Sequence, residues 1–492
     1  MYKGVTCLAQ AGTTMVNRIT TAGTKKNLFT KRICMLNKQK LNMFSLTMIV
    51  IGLVICMGIF RTASDAARAA LTPSIYFSAW IVGGLVALCG ALTYAEIGSR
   101  YPVTGGYYKI FSYAYHPSIA FALNCSILIS NAASIAGVAL IGAGYITSVL
   151  IPGASQSVAM AIAIGAILLF YGVNVMGLKM SSKTQNVLML IKISMLLLLI
   201  AALLYPPAYA ASNVPLNTPI PKDAPFMSVL SSFGLCLVAV SFTYGGYQQT
   251  INFGSEIKNA SRTLPKGIII GIFVIIGLYL LVNVAYYNII GFSDLKNSKE
   301  IASVVVGKMF GWQGANVFSV LLFLSVLAYV NVTLLSNPRV MFAMSEDGVL
   351  PEVFQRKWQS KNVYIVALTT FASIAMVVVF FAETFDRILS FSIFLDSFGM
   401  ATSAATIFIL RKRTKHLDKT GIYKMKLYPL MPLLFIAAYV FVCGSIVATS
   451  PNIAITGVIV MVAFIILYFV IPKRAPIGKE PPSEADINND AA

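Results

Sequence analysis

Long stretches without charge govern what this chain can become. Twelve apolar segments, each near the roughly 20 residues that a helix needs to cross a bilayer, follow one another along it. They lie at about 42–62, 73–97, 117–150, 157–177, 184–205, 227–254, 265–290, 312–342, 363–382, 387–410, 427–449 and 452–472. Hydrocarbon offers no water to a backbone N–H or C=O, so each segment must close its own hydrogen bonds as a helix. The predicted fold class is an all-α polytopic membrane protein. Composition agrees: of 492 residues, 58% are hydrophobic and 11% charged, whereas soluble domains are about half apolar and a quarter charged. A soluble enzyme, a disordered chain and a nucleic-acid binder are excluded.

The formal net charge is +20, and the positions of the charges explain it. With the first tail, alternate loops and the C-terminus assigned to one side, that side carries 29 of the Lys and Arg residues and the other carries 7. One more, Lys192, sits inside a segment. Cytoplasmic loops collect Lys and Arg, so the charge reads as topology, with both termini cytoplasmic in the plasma (inner) membrane. No nucleic-acid partner is needed. The cysteines form no CxxC pair, and histidine occurs only at 116 and 416. No metal site, cofactor or disulfide framework is expected.

The expected organisation is a basic tail at 1–41, five segments over 42–206, five over 227–410, two more over 427–472, and a polar disordered tail at 473–492. The first stretch has no apolar core after its charges and reads as a cytosolic tail rather than a secretory signal. Met35 and Met43 offer alternative starts. The Pro-rich stretch 205–226 reads as an extended connector.

Two segments are poor helices. The first reads IVIGLVICMGIF, with Gly52 and Gly58; the sixth reads VSFTYGGYQQTINFGSE, with Gly245 and Gly246 before a polar run. Each glycine weakens a helix interior by about 1 kcal/mol. A glycine pair followed by glutamines suits backbone that opens onto a watery cavity. Close packing explains Gly52 alone but does not require the glutamines. The two interruptions stand five segments apart, which points to two inverted repeats with a site at the membrane midplane. A broken helix frees N–H groups that favour a carboxylate and C=O groups that suit an ammonium. Two facing breaks would hold a zwitterion by backbone alone.

Lys192 and Asp396 are charges inside segments and are functional candidates by default. For Asp396 the blander alternative is a solvated carboxylate near the outer end. Glu96 and Glu256 close segments 2 and 6 and read as partners of nearby arginines or as helix caps.

Four stretches resemble the amino acid–polyamine–organocation superfamily, close to the L-type amino-acid transporters and their bacterial relatives. They are ALTYAEIGSRYPVTGGYYKIF (91–111), FTYGGYQQTINFGSEIKNASRTLP (242–265), SNPRVMFAMSEDGVLP (336–351) and LRKRTKHLDKTGIYKMKLYPLMPLLF (410–435). The resemblance implies a LeuT-type fold, a 5+5 inverted repeat with two additional helices. It places a substrate carboxylate at the N–H groups of Cys56, Met57 and Gly58. The ammonium would meet carbonyls of Val54, Phe242, Thr243 and Gly245. Tyr247 takes the aromatic position after the glycine pair, and Asn252 is similar to a polar residue of the pocket and gate, with one extra residue before it. Lys192 matches the lysine of sodium-independent members, where an ammonium occupies the place of a sodium ion. The family's G-S-G-I-F reads Cys56-Met57-Gly58-Ile59-Phe60 here, which stiffens the break and favours a neutral or hydrophobic substrate side chain. The loop IPGASQS (151–157) lacks the cysteine through which eukaryotic L-type members join a partner, so no obligatory protein partner is expected.

The implied function is secondary transport of L-amino acids, sodium-independent, by exchange or proton coupling. A polyamine or cationic amino-acid carrier would need an acid in the pocket, and segments 1, 3, 6 and 8 have none near their middles. A sensor would want an added signalling domain, and an enzyme a polar cluster at one membrane face.

Overall fold

The computed structural model describes residues 40–55, 58–204, 214–216, 218–219, 225–298, 301–381, 385–416 and 421–471. The expected tails at 1–41 and 473–492, save residues 40 and 41, and most of the Pro-rich connector lie outside them.

The fold is helical. In chain order the helices are α1 (Met43–Val54), α2 (Gly58–Ala69), α3 (Pro73–Arg100), α4 (Gly106–Ala114), α5 (Pro117–Leu150), α6 (Gln156–Val175) and α7 (Leu178–Ala201). They continue with α8 (Phe226–Tyr244), α9 (Ala260–Asn297), α10 (Ile301–Glu346), α11 (Ile365–Phe380), α12 (Phe385–Arg413), α13 (Leu430–Thr449) and α14 (Pro451–Val470). Among the described residues, ten helices are long and apolar enough to cross a membrane. The other two expected segments are the α1–α2 pair, broken in the middle, and the shorter α11, so the bundle is consistent with twelve.

Sequence-coded stops set the boundaries. Pro73 opens α3 with Thr72 as its cap, and Pro117 opens α5 with the His116 ring accepting from Ser118 N. Proline suits the first helical position because its missing N–H would lack a partner there anyway. Segments 7 and 8 end or begin straight runs at Gly291 and Gly311, both at positive φ. Beyond these glycines the chain keeps coiling, so residues 292–310 contain helix where the sequence suggested a loop. The short α4 is a second helix that the hydropathy pattern did not separate.

Apolar side chains such as Leu433, Val440, Ile459 and Ile466 stand exposed on α13 and α14. In a bilayer these faces meet lipid, and inter-helix packing falls to small residues. Gly52 belongs to this packing: it lies within α1, where a Cβ would run into the Gln185 side chain of α7.

At the end of the bundle where α3 stops, buried charges are paired. Glu96 accepts from Arg100 Nε at 2.8 Å, from Arg411 Nε and Nη2 at 2.7 and 2.6 Å, and from Met425 N at 2.8 Å. Arg339 Nε and Nη2 donate to Glu256 Oε2 at 2.9 and 2.6 Å. Glu96 thus pairs with its neighbour Arg100 and with an arginine 315 positions away. Leu41 bridges the backbone beside Glu256: Leu41 N donates to Glu256 O at 2.7 Å, and Lys258 N to Leu41 O at 3.2 Å. The root of α1 is thereby fixed to the chain that follows the second break.

Candidate substrate site between two helix breaks

The first break follows α1. Ile55 leaves the helical region at φ −73°, ψ 85°, and α2 restarts at Gly58. Cys56 and Met57, two of the expected carboxylate donors, lie outside the described residues. A helix that stops inside a membrane strands its last carbonyls. Side chains from other helices take them up. Lys192 on α7 is fully buried and donates from Nζ to Ile55 O at 2.6 Å. The Tyr279 hydroxyl on α9 lies 3.2 Å from Val54 O and 3.4 Å from Thr243 O, with one hydrogen to share between them. An ammonium at the end of α1 also complements the negative end of the helix dipole.

The second break follows α8. Gly245 is extended at φ −71°, ψ 169°, and Gly246 sits at φ 110°, ψ −33°, before a 3-10 turn over Tyr247–Asn252. The φ of Gly246 is open only to glycine at low cost. A Cβ there would also strike the carbonyl of Leu53. The two breaks therefore touch backbone to backbone. The Gly246 N–H is satisfied within the break, donating to Gln248 Oε1 at 2.9 Å. Gly58 is a second close approach, since a Cβ would lie 2.7 Å from the Thr243 methyl carbon and 3.0 Å from its Cα. Thr62 Oγ1 donates to Gly58 O at 2.6 Å and lies 2.5 Å from Thr243 Oγ1.

A small cavity, about 50 Å³, opens beside these breaks. Leu53, Phe242, Gly245 and Gly246 form its broken-helix wall, and Asn131, Gln248, Gln249, Asp396 and Tyr439 its polar wall.

Of the expected site residues, Phe242 and Gly245 line this cavity. Val54, Gly58 and Thr243 lie within the contact of the two breaks. Tyr247 packs edge-on against Tyr94, with ring centroids 5.9 Å apart, and its buried hydroxyl meets no hydrogen-bond partner. Asn252 is a clasp outside the cavity lining. Its Oδ1 accepts from Tyr107 N at 2.9 Å, its Nδ2 donates to Ser336 Oγ at 3.1 Å, and its carbonyl accepts from Gly105 N at 3.0 Å. The 3-10 turn accounts for both placements, because three residues per turn aim side chains differently from an α-helix.

Sequence reasoning missed three participants. Tyr279 joins the two breaks, Asn131 connects the cavity to α10, and Gln249 lines the wall. The glutamines were conspicuous in the sequence, but nothing there marked Tyr279 or Asn131. Asp396 lines the cavity and accepts from Ser130 Oγ at 3.2 Å.

A bundle of membrane-length helices with two facing breaks beside a cavity defines a multi-pass membrane protein. Residues 41–479 match the amino acid permease family, and the chain belongs to it. It is 27% identical to the serine/threonine exchanger SteT of Bacillus subtilis, over 88% of this chain and 96% of that one. It is 29% identical to the branched-chain amino acid permease BcaP of the same organism, over 64% of this chain and 68% of that one. Identity to the human large neutral amino acids transporter small subunit 2 is 23%, over 88% of this chain and 80% of that one. Family and relatives are transporters rather than enzymes.

Proposed function

We propose that this protein carries L-amino acids across the plasma (inner) membrane by alternating access, without sodium, through exchange or proton coupling. The observation that carries the reading is the contact of Gly246 with the Leu53 carbonyl, which brings two interrupted helices together beside a cavity. The N–H groups of Cys56, Met57 and Gly58 would take the carboxylate. Carbonyls of Phe242 and Gly245 would take the ammonium, with those of Val54 and Thr243 held in place by Tyr279. Lys192 would supply the fixed positive charge that a sodium ion supplies elsewhere, which makes a coupled sodium ion unnecessary. Both termini would face the cytoplasm, and no partner protein would be required.

Uptake of a labelled L-amino-acid mixture into proteoliposomes tests the reading, in sodium-free buffer. Empty vesicles, vesicles preloaded with unlabelled amino acids, and vesicles under an inward proton gradient are compared. Uptake confined to preloaded vesicles identifies an exchanger, and uptake raised by the gradient alone a proton symporter. Folded protein that takes up nothing, or needs sodium, contradicts the proposal.

One observation favours the second reading, a carrier of cationic substrates. The acid that segments 1, 3, 6 and 8 lack is supplied to the cavity by Asp396 on α12.

A further inference from the structure

The polar wall of the cavity is built from acceptors, and a chain of amides fixes which way they point. Asn337 Nδ2 donates to Thr333 O at 3.0 Å, a helix carbonyl that can only accept. Asn337 Oδ1 must then accept, and it does so from Asn131 Nδ2 at 2.7 Å. Asn131 Oδ1 in turn accepts from Gln249 Nε2 at 3.1 Å. A flip of any one amide would set two oxygens or two N–H groups against each other, so the carbonyl at the end of the series fixes all three. The series leaves Gln249 Oε1 at its free end. That residue is 6% exposed and lines the cavity, and the oxygen meets no hydrogen-bond donor among the described residues.

Asp396 adds a second acceptor to the same cavity. A carboxylate has about four lone-pair sites, and the hydrogen bond from Ser130 Oγ uses one. Among the described residues no Lys, Arg or His forms an ion pair with it, although the buried acids Glu96 and Glu256 each have an arginine. A buried acceptor without a donor, as at Gln249 Oε1, costs free energy, and a charge inside a membrane protein, as at the half-buried Asp396, is paired or marks a pathway. Two such groups on one cavity wall describe a subsite waiting for a donor.

We propose that Asp396 and Gln249 form the side-chain subsite of the transporter and select substrates whose side chains end in N–H donors, an ammonium, a guanidinium or an amide. This rests on the amino-acid transport reading: the α-amino and α-carboxyl groups are held at the breaks, and the side chain reaches the acceptor wall. It departs from the expectation of a neutral or hydrophobic side chain drawn from Met57, sharing with it only the neutral amides. Selection follows because an apolar side chain leaves both acceptors unpaired, which a site built for hydrogen bonding rejects strongly.

The test is uptake of labelled ornithine, glutamine and leucine, each alone, by wild type, Asp396→Asn, Asp396→Leu and Gln249→Leu in proteoliposomes. Folding of each variant is checked by its thermal unfolding midpoint. Wild type is expected to prefer ornithine or glutamine to leucine by about tenfold or more. The ratio should fall toward one in Asp396→Leu and partly in Gln249→Leu. Asp396→Asn should lower ornithine uptake more than glutamine uptake if the carboxylate acts in its charged form. A ratio is the readout, since a merely structural role would lower all three substrates together. If Asp396→Leu fails to fold, the wild-type ratio and Gln249→Leu still decide. Equal or greater uptake of leucine by wild type, or a ratio unchanged in folded variants, overturns the subsite and leaves the transport reading standing. No uptake of any amino acid by folded wild type overturns both.

Discussion

The two breaks solve the same problem by opposite means. Where α1 stops, the freed carbonyls are satisfied by borrowed donors, Lys192 from α7 and Tyr279 from α9. Where α8 stops, the break satisfies itself: Gly246 takes the backbone through a left-handed conformation, and Gln248 caps its N–H. The first break is therefore held from outside, and the second mainly by its own sequence, with only a share of the Tyr279 hydroxyl at Thr243 O. The second also carries Gln248 and Gln249 into the cavity wall. A locally encoded break can present side chains to a substrate, whereas a break secured by neighbours is a fixed platform for backbone groups.

Substitutions that attack each break by its own logic sharpen this contrast. The largest effect is expected at Gly246. Gly246→Leu puts a side chain at positive φ and into the Leu53 carbonyl, at a cost of about 3 kcal/mol or more. Uptake should vanish and the unfolding midpoint should drop. Retention of both would show that the breaks do not need their contact.

Lys192→Met comes next. It removes the donor to Ile55 O and leaves a carbonyl stranded in the membrane, worth about 1–3 kcal/mol. We expect uptake to fall by at least tenfold with a smaller loss of stability than at Gly246. Uptake that survives and becomes sodium-dependent would strengthen the comparison, because a cation would have replaced the ammonium. Uptake that survives without sodium would break it.

Tyr279→Phe should cost about 1 kcal/mol, since each carbonyl loses only a share of one hydroxyl. A few-fold fall in uptake is expected. The smallest effect belongs to Thr62→Val, which keeps the shape and removes one hydroxyl from the Thr62–Thr243 contact. A stability loss of about 0.5 kcal/mol is expected there. Reversal of the order of Tyr279→Phe and Thr62→Val in a thermal unfolding series would mean that the α2–α8 contact, not Tyr279, holds the breaks together.

Most of the architecture was legible in the sequence because lipid leaves the backbone one solution. Hydropathy located the spanning segments, and proline and glycine marked their ends, as at Pro73, Pro117 and Gly291. The glycine pair located the second break. Less legible was anything that depends on which way a side chain turns. Asp396 reads the same in sequence whether it faces a headgroup or a cavity. Tyr247 and Asn252 sit on a 3-10 turn, and an α-helical reading of that run misplaces their side chains. The amide series joins residues 118 and 206 positions apart, and no local pattern announces such partners. The helical stretches over 292–297 and 301–310 were hidden because a glycine that ends one straight run can also begin the next.

The central claim is that the facing breaks hold both ends of an amino-acid zwitterion. Competition against labelled uptake in proteoliposomes tests it most directly, with a transported L-amino acid, its methyl ester and its N-acetyl derivative as competitors. The free amino acid should compete fully, and blocking either end should weaken competition by about a hundredfold or more, since each block leaves a set of backbone groups unpaired. Equal competition by the ester or the N-acetyl compound would contradict the claim, because the corresponding break would then play no part in recognition.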